Sequence, residues 1–174
     1  MRKKMSYNNL TRWEPRQRFL LAVETNLLGG IRMNRVDLLD STLRDGAQAN
    51  GISFSVEDKL NIVRKLDDLG VAFIEAGNPG SNPKDLEFFR RASALKMKNS
   101  VLAAFGSTRK KNISAEEDPN LHALLTADTD VVVLFGKCWE LHVRQVLGTT
   151  PEENLKMIEE SPLTSVISGD LSEV

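Results

Sequence analysis

The sequence has 174 residues, of which 41% are hydrophobic and 27% charged, with a formal net charge of −1. That length suits a single domain with a core of its own, and a charge near zero gives no electrostatic footprint for nucleic acid or acidic partners. The one cysteine, Cys138, excludes an intrachain disulfide and fits a reducing compartment; beside Trp139 it reads as a small apolar filler.

In chain order, the N-terminus carries Arg2, Lys3 and Lys4, but the apolar cluster at 19–23 is too short for a signal segment, and Glu24 closes it. No run approaches the length of a membrane span, so the sequence reads as cytoplasmic, with no membrane partner. Residues 36–39 form a first predicted strand. Ser55 then opens a helix, with Asp58 standing where a capping box has Glu, Leu60, Val63 and Leu66 recurring at helical spacing, and Gly70 ending it. A second strand is predicted at 71–75, a second helix at 84–95 entered through Pro83, and a third strand at 101–105. A third helix follows Pro119, around 121–125. Residues 130–135, with Val131, Val132, Val133 and Leu134 at their centre, read as the clearest buried strand. A helix at 139–147 comes next, then one capped by Thr150 with Pro151 at its first position. Pro162 is expected to break that last helix, leaving 166–174 as a short fifth strand at best.

Alternating strands and helices imply an α/β fold with a parallel sheet. A closed (β/α)8 barrel needs eight such units and roughly 250 residues, of which this pattern supplies about the first four.

Between the first strand and the first helix lies Asp40-Ser41-Thr42-Leu43-Arg44-Asp45-Gly46-Ala47-Gln48. Arg44 offers a permanent cation with a planar donor fork, suited to a substrate carboxylate or a developing oxyanion. Asp45 offers a hard oxygen ligand for a divalent cation, and Gly46 frees the backbone to turn. The run resembles the D-S/T-T-L-R-D-G-x-Q signature of the metal-dependent barrel acyltransferases and lyases, the family of citramalate, 2-isopropylmalate and homocitrate synthases and hydroxymethylglutaryl-CoA lyase. The stretches 74–85, 105–111 and 135–143 look like the citramalate synthase branch. The resemblance spans 33–161, with 1–32 as an extension and 162–174 as a tail outside it. This pattern suggests a reading-frame product, with upstream sequence translated ahead of Met33 and an interruption after 161; the alternative is a short paralogue with unusual ends.

The resemblance implies a partial TIM barrel and a condensation of acetyl-CoA with a 2-oxo acid, pyruvate giving citramalate on the route to isoleucine. It implies a divalent metal (Mg2+, Mn2+ or Zn2+) ligated by Asp45. Arg44 is then catalytic and substrate-binding, Gln48 substrate-binding, and Glu75 catalytic at the end of the second strand, with a helix-capping or turn-bonding carboxylate as its alternative. A homo-oligomer is implied for the full-length family. The basic run 108–111 reads as a solvated loop, with CoA phosphates as its alternative ligand, and Lys137 and Trp139 read as a rim lysine and a packed aromatic. The family completes its metal site with a His-x-His pair. His122 and His142 are unpaired and read as ordinary helix residues, so the chain is expected to be inactive alone, with a catalytically dead half-barrel or interaction module as the competing reading.

Overall fold

The computed structural model describes residues 36–170, with side chains as far as 162. The predicted extension at 1–32 lies outside the described residues.

Four strands, β1 (Leu39–Asp40), β2 (Phe73–Gly77), β3 (Val101–Ser107) and β4 (Val131–Phe135), pair in parallel in the order β1-β2-β3-β4. Sequential order without reversal is the arrangement of a barrel wall; a doubly wound sheet would switch direction from its first strand. Each strand is followed by a helix: α1 (Val56–Leu69), α2 (Pro83–Ala92), α3 (Pro119–Thr126) and the short α4 (Glu140–His142). A longer helix, α5 (Pro151–Asp170), follows.

Local chemistry sets most of these bounds. Ser55 and Asp58 form a reciprocal capping box at the start of α1, and Gly70, at φ 85°, closes it. The side chains of Asn82 and Asp118 cap α2 and α3, each followed by proline at the first helical position. Asp67, near the end of α1, accepts the N–H groups of Lys98, Asn99 and Ser100 just ahead of β3. Burial disfavours its charge, yet those backbone donors hold the carboxyl below its usual range.

Strand alternation divides the sheet into two faces. Ile74, Ala76, Leu102, Ala104, Val132 and Leu134 pack with Leu60, Val63, Phe88, Phe89, Leu121 and Leu124 into one core beneath the helices. The opposite face carries Glu75, Ala103 and Phe105, with Glu75 registered against Ala103. Between Glu75 and Gly77 the register slips, and Ala76 stands as an extra residue in β2.

Several expectations need correction. The second strand runs two residues beyond Glu75, so Glu75 sits at its centre. β4 is not deeply buried: it pairs with β3 alone among the described strands, its valines are half-buried, and Phe135 is exposed. The predicted helix at 139–147 is one turn of α-helix running into a π-helical turn at Val143–Leu147, stopped by Gly148 at φ 60°. Pro162 does not break α5, which continues to Asp170, so 166–170 are helical and form no strand; 171–174 lie outside the described residues. The proline removes one donor, a cost of about 3 kcal/mol, but side chains in the turns ahead of it, described below, tie the helix to the loop after β3.

Candidate active site

The turn after β1 is organised around one acceptor. The N–H groups of Arg44, Asp45 and Gly46 all donate to the Ser41 carbonyl, at 3.1, 2.8 and 3.2 Å. Leu43 plugs the turn into the core, so its neighbour Arg44 is directed away from the core, over the face of the sheet that carries Glu75.

There Arg44 Nε donates to Glu75 Oε2 at 2.6 Å and Nη1 to Asp45 Oδ1 at 2.9 Å. The guanidinium lies over the Phe105 ring, its carbon 4.3 Å from the centroid, a cation–π contact. Glu75's side chain is 3% exposed and Arg44's 24%. A buried acid thus holds a base that still reaches solvent, and Nη2 meets no partner among the described residues. Arg44 lines a cleft of about 270 Å3 at the carboxyl ends of β1 and β2, together with Gln48, Ile52, Phe54, Asn78 and Phe105.

The structure therefore brings Arg44 and Gln48 to the cleft, and Arg44 reaches back to Glu75 within β2. Asp45 adjoins Arg44, but its side chain is 65% exposed and is not part of the cleft wall. Whether these residues fit a divalent metal can be judged from the donor set. No three His, Cys, Asp or Glu side chains converge among the described residues, and one oxygen of Asp45 already accepts from Arg44. A single exposed carboxylate is an incomplete coordination shell, so the described residues do not by themselves fit a metal.

Two residues at the cleft escaped sequence reasoning. Lys59 and Asp85 form a buried ion pair, Nζ to Oδ1 at 2.5 Å, and both line the cleft. The available signal was the position of Lys59 on the apolar stripe of α1, three residues after Val56 and four before Val63, where a charge is costly.

In the loop after β3, Lys110 and Lys111 are exposed as a solvated run would be, but Arg109 departs from both readings. Arg109 is neither solvated nor free for phosphate: its side chain is 5% exposed, with Nε on Glu160 and Nη1 on Glu153, while its backbone N–H donates to Ser161 Oγ. Burial alone would lower its affinity for the proton, but the two glutamates raise it above the ordinary arginine range. Beyond β4, Trp139 is 58% exposed and Cys138 is exposed as well; the tryptophan meets His142 edge to face, 4.6 Å between ring centroids, so neither fills the core. The Lys137 ammonium sits over the Phe135 ring. His122, in α3, contacts the Glu116 carbonyl through its ring.

A parallel sheet in barrel order, each strand followed by a helix, defines a segment of an α/β barrel. Residues 35–163 match the HMGL-like family profile, and the chain belongs to that family. It is 53% identical over 127 residues to the (R)-citramalate synthase of Aquifex aeolicus, a match covering 73% of this chain and 24% of that protein. It is 54% identical over 126 residues to the (R)-citramalate synthase of Sulfolobus acidocaldarius, with 72% and 24% covered. Identity to the 2-isopropylmalate synthase of Pyrococcus furiosus is 35% over 127 residues, with 73% and 24% covered. The chain thus spans about a quarter of the length of these curated relatives. Among solved structures, the Bacillus subtilis HMG-CoA lyase aligns with a TM-score of 0.57 at 18% identity, covering 78% of this chain and 44% of that one, which supports the barrel fold.

Proposed function

We propose that this chain supplies the 2-oxo acid-binding part of an acyltransferase that condenses acetyl-CoA with pyruvate to form citramalate. Arg44 is the residue that carries this reading. Its Nε and Nη1 are fixed by two carboxylates, Nη2 has no partner among the described residues, and the side chain lines a cleft of small-molecule size. A guanidinium so restrained can pair with the carboxylate of a 2-oxo acid, or with negative charge growing on its keto oxygen, without reorganising. Gln48 adds an amide at the same wall. Glu75 touches no substrate in this reading and acts as a positioning residue through Arg44. Higher identity to proteins named citramalate synthase than to those named 2-isopropylmalate synthase supports pyruvate over a bulkier 2-oxo acid.

Asp45 would offer one oxygen to a divalent cation, whose chemistry when bound would be to polarise a keto group, and no three candidate ligands converge among the described residues to complete its shell. The 174-residue chain with acetyl-CoA, pyruvate and Mg2+ or Mn2+ is therefore expected to release no free thiol. Metal- and pyruvate-dependent release, lost in Asp45→Ala, would overturn the inactivity of the chain by itself.

Binding tests the central claim. Pyruvate titrated into the isotopically labelled chain should shift the Arg44 side-chain N–H signals saturably. Arg44→Lys, which keeps the charge and loses the fork, should weaken binding about tenfold. No saturable shift in the wild type, or equal affinity in the lysine variant, would overturn Arg44 as the anchor.

A further inference from the structure

We propose that the buried Lys59–Asp85 pair is a positioning device, which fixes the bulge in β2 and through it the orientation of Glu75 and Arg44. A buried ion pair contributes little net stability, because desolvation offsets the attraction, and an apolar pair of similar volume often serves a fold at least as well. What this pair does supply is directional contact with one short piece of backbone.

Lys59 Nζ donates to the carbonyl of Ala76, the extra residue of the bulge, at 3.1 Å, and to Asp85 Oδ1 at 2.5 Å. The other oxygen of Asp85 accepts the N–H of Asn78 at 3.2 Å. The pair therefore grips the chain on both sides of Gly77. That residue has φ 142°, a region L side chains rarely adopt, and a Cβ there would fall 2.8 Å from Asp85 Oδ2 and 2.9 Å from Lys59 Nζ. Asp85 is held in turn, since its own N–H donates to the Asn82 side chain at 2.8 Å, and the Lys59 ammonium faces the Phe88 ring.

The bulge matters because Glu75 immediately precedes it. In a strand, one extra residue changes the local twist and re-aims the neighbouring side chains. Here Glu75 remains in register with Ala103 while Gly77 pairs with Ala104. Glu75 thereby meets Arg44 Nε at 2.6 Å with the guanidinium over the Phe105 ring. Lys59 and Asp85, on α1 and α2, act on Arg44 only through this backbone. The functional weight of the proposal rests on the reading of Arg44 given above; its geometry does not.

The test reads hydrogen exchange of the Arg44 Nε–H, identified by its loss in Arg44→Lys and protected by the short bond to Glu75. Lys59→Met/Asp85→Leu removes both charges together, so that neither is stranded, and should speed this exchange about tenfold in a folded protein. Asp67→Asn is the control. It weakens α1 at its other end, where Asp67 meets the residues ahead of β3, and should lower the thermal midpoint while leaving the Arg44 exchange unchanged. Wild-type exchange in the folded double variant, or equal acceleration in Asp67→Asn, would overturn the proposal. If the double variant does not fold, Lys59→Arg replaces it. Its fork cannot place one donor between the Ala76 carbonyl and Asp85, so faster exchange is expected and an unchanged rate would overturn the proposal.

Titrating pyruvate into the same samples separates this idea from the substrate reading. Faster exchange without pyruvate binding in the wild type would sustain the positioning role and sink the substrate reading. Pyruvate binding with unaltered exchange would do the reverse.

Discussion

Two arginines in this molecule are each held by carboxylates, and their burial is inverted. At the mouth of the sheet the acid is sealed and the base is open: Glu75 is 3% exposed and Arg44 24%. Beside α5 the base is sealed and the acids are open, with Arg109 at 5% against 26% for Glu153 and 44% for Glu160. The bonds are alike in length and kind, so bond geometry alone does not distinguish a site from a clasp. The distinction lies in which partner keeps an edge in solvent. An arginine aimed by a hidden acid can still take a ligand, whereas one wrapped by its acids can only fasten one element to another.

Removing the cations in turn tests this contrast. Arg44→Met should cost the most, about 3 kcal/mol in urea unfolding, because it strands the buried carboxylate of Glu75. Adding Glu75→Gln should recover much of the loss; no recovery would mean that the acid was never stranded and would break the comparison. Arg109→Met should cost less, about 2 kcal/mol, since both glutamates can turn to water. A pH dependence sharpens it. The Arg109 hydrogen bond holds Glu153 below its usual range, against a smaller opposing effect of desolvation. The pair therefore stabilises the fold above the ordinary carboxylate range, and that contribution is lost as pH falls through the lowered value. The stability gap between wild type and Arg109→Met should narrow on acidification, and a gap that widens would exclude this origin. Arg90→Met should have no measurable effect on the unfolding midpoint, although Arg90 grips Glu87 through two short bonds, because both side chains lie on the open surface of α2.

Much of the fold is legible in the sequence because its signals are local. The Ser55–Asp58 box, Gly70, the prolines at 83, 119 and 151, and the apolar runs of β2 to β4 each act within a few residues of where they stand. Strand pairing in chain order and the Arg44–Glu75 contact are not local. The contact joins residues 31 positions apart, and only the family resemblance brought such distant residues together. Lys59 was hidden for the opposite reason: periodicity registers the apolar members of a stripe and passes over a polar one whose partner is 26 residues away. The errors around Cys138, Trp139 and β4 share a cause. Apolar composition predicts burial only where another element covers the surface, and here the described sheet ends. Pro162 misled because a helix-breaking penalty is finite, and Arg109, reaching Glu153 and Glu160 and meeting Ser161, offsets it.

The three donors converging on the Ser41 carbonyl carry a consequence for how this segment tolerates change in length. A peptide oxygen shared three ways leaves no slack between 41 and 46. One inserted residue there would rotate Leu43 out of the core and swing the guanidinium off its aromatic platform in the same movement. The stretch from 49 to 53, exposed throughout and closed by a single turn bond from Ile52 to Ala49, has no such coupling and is where added length would leave both side chains undisturbed.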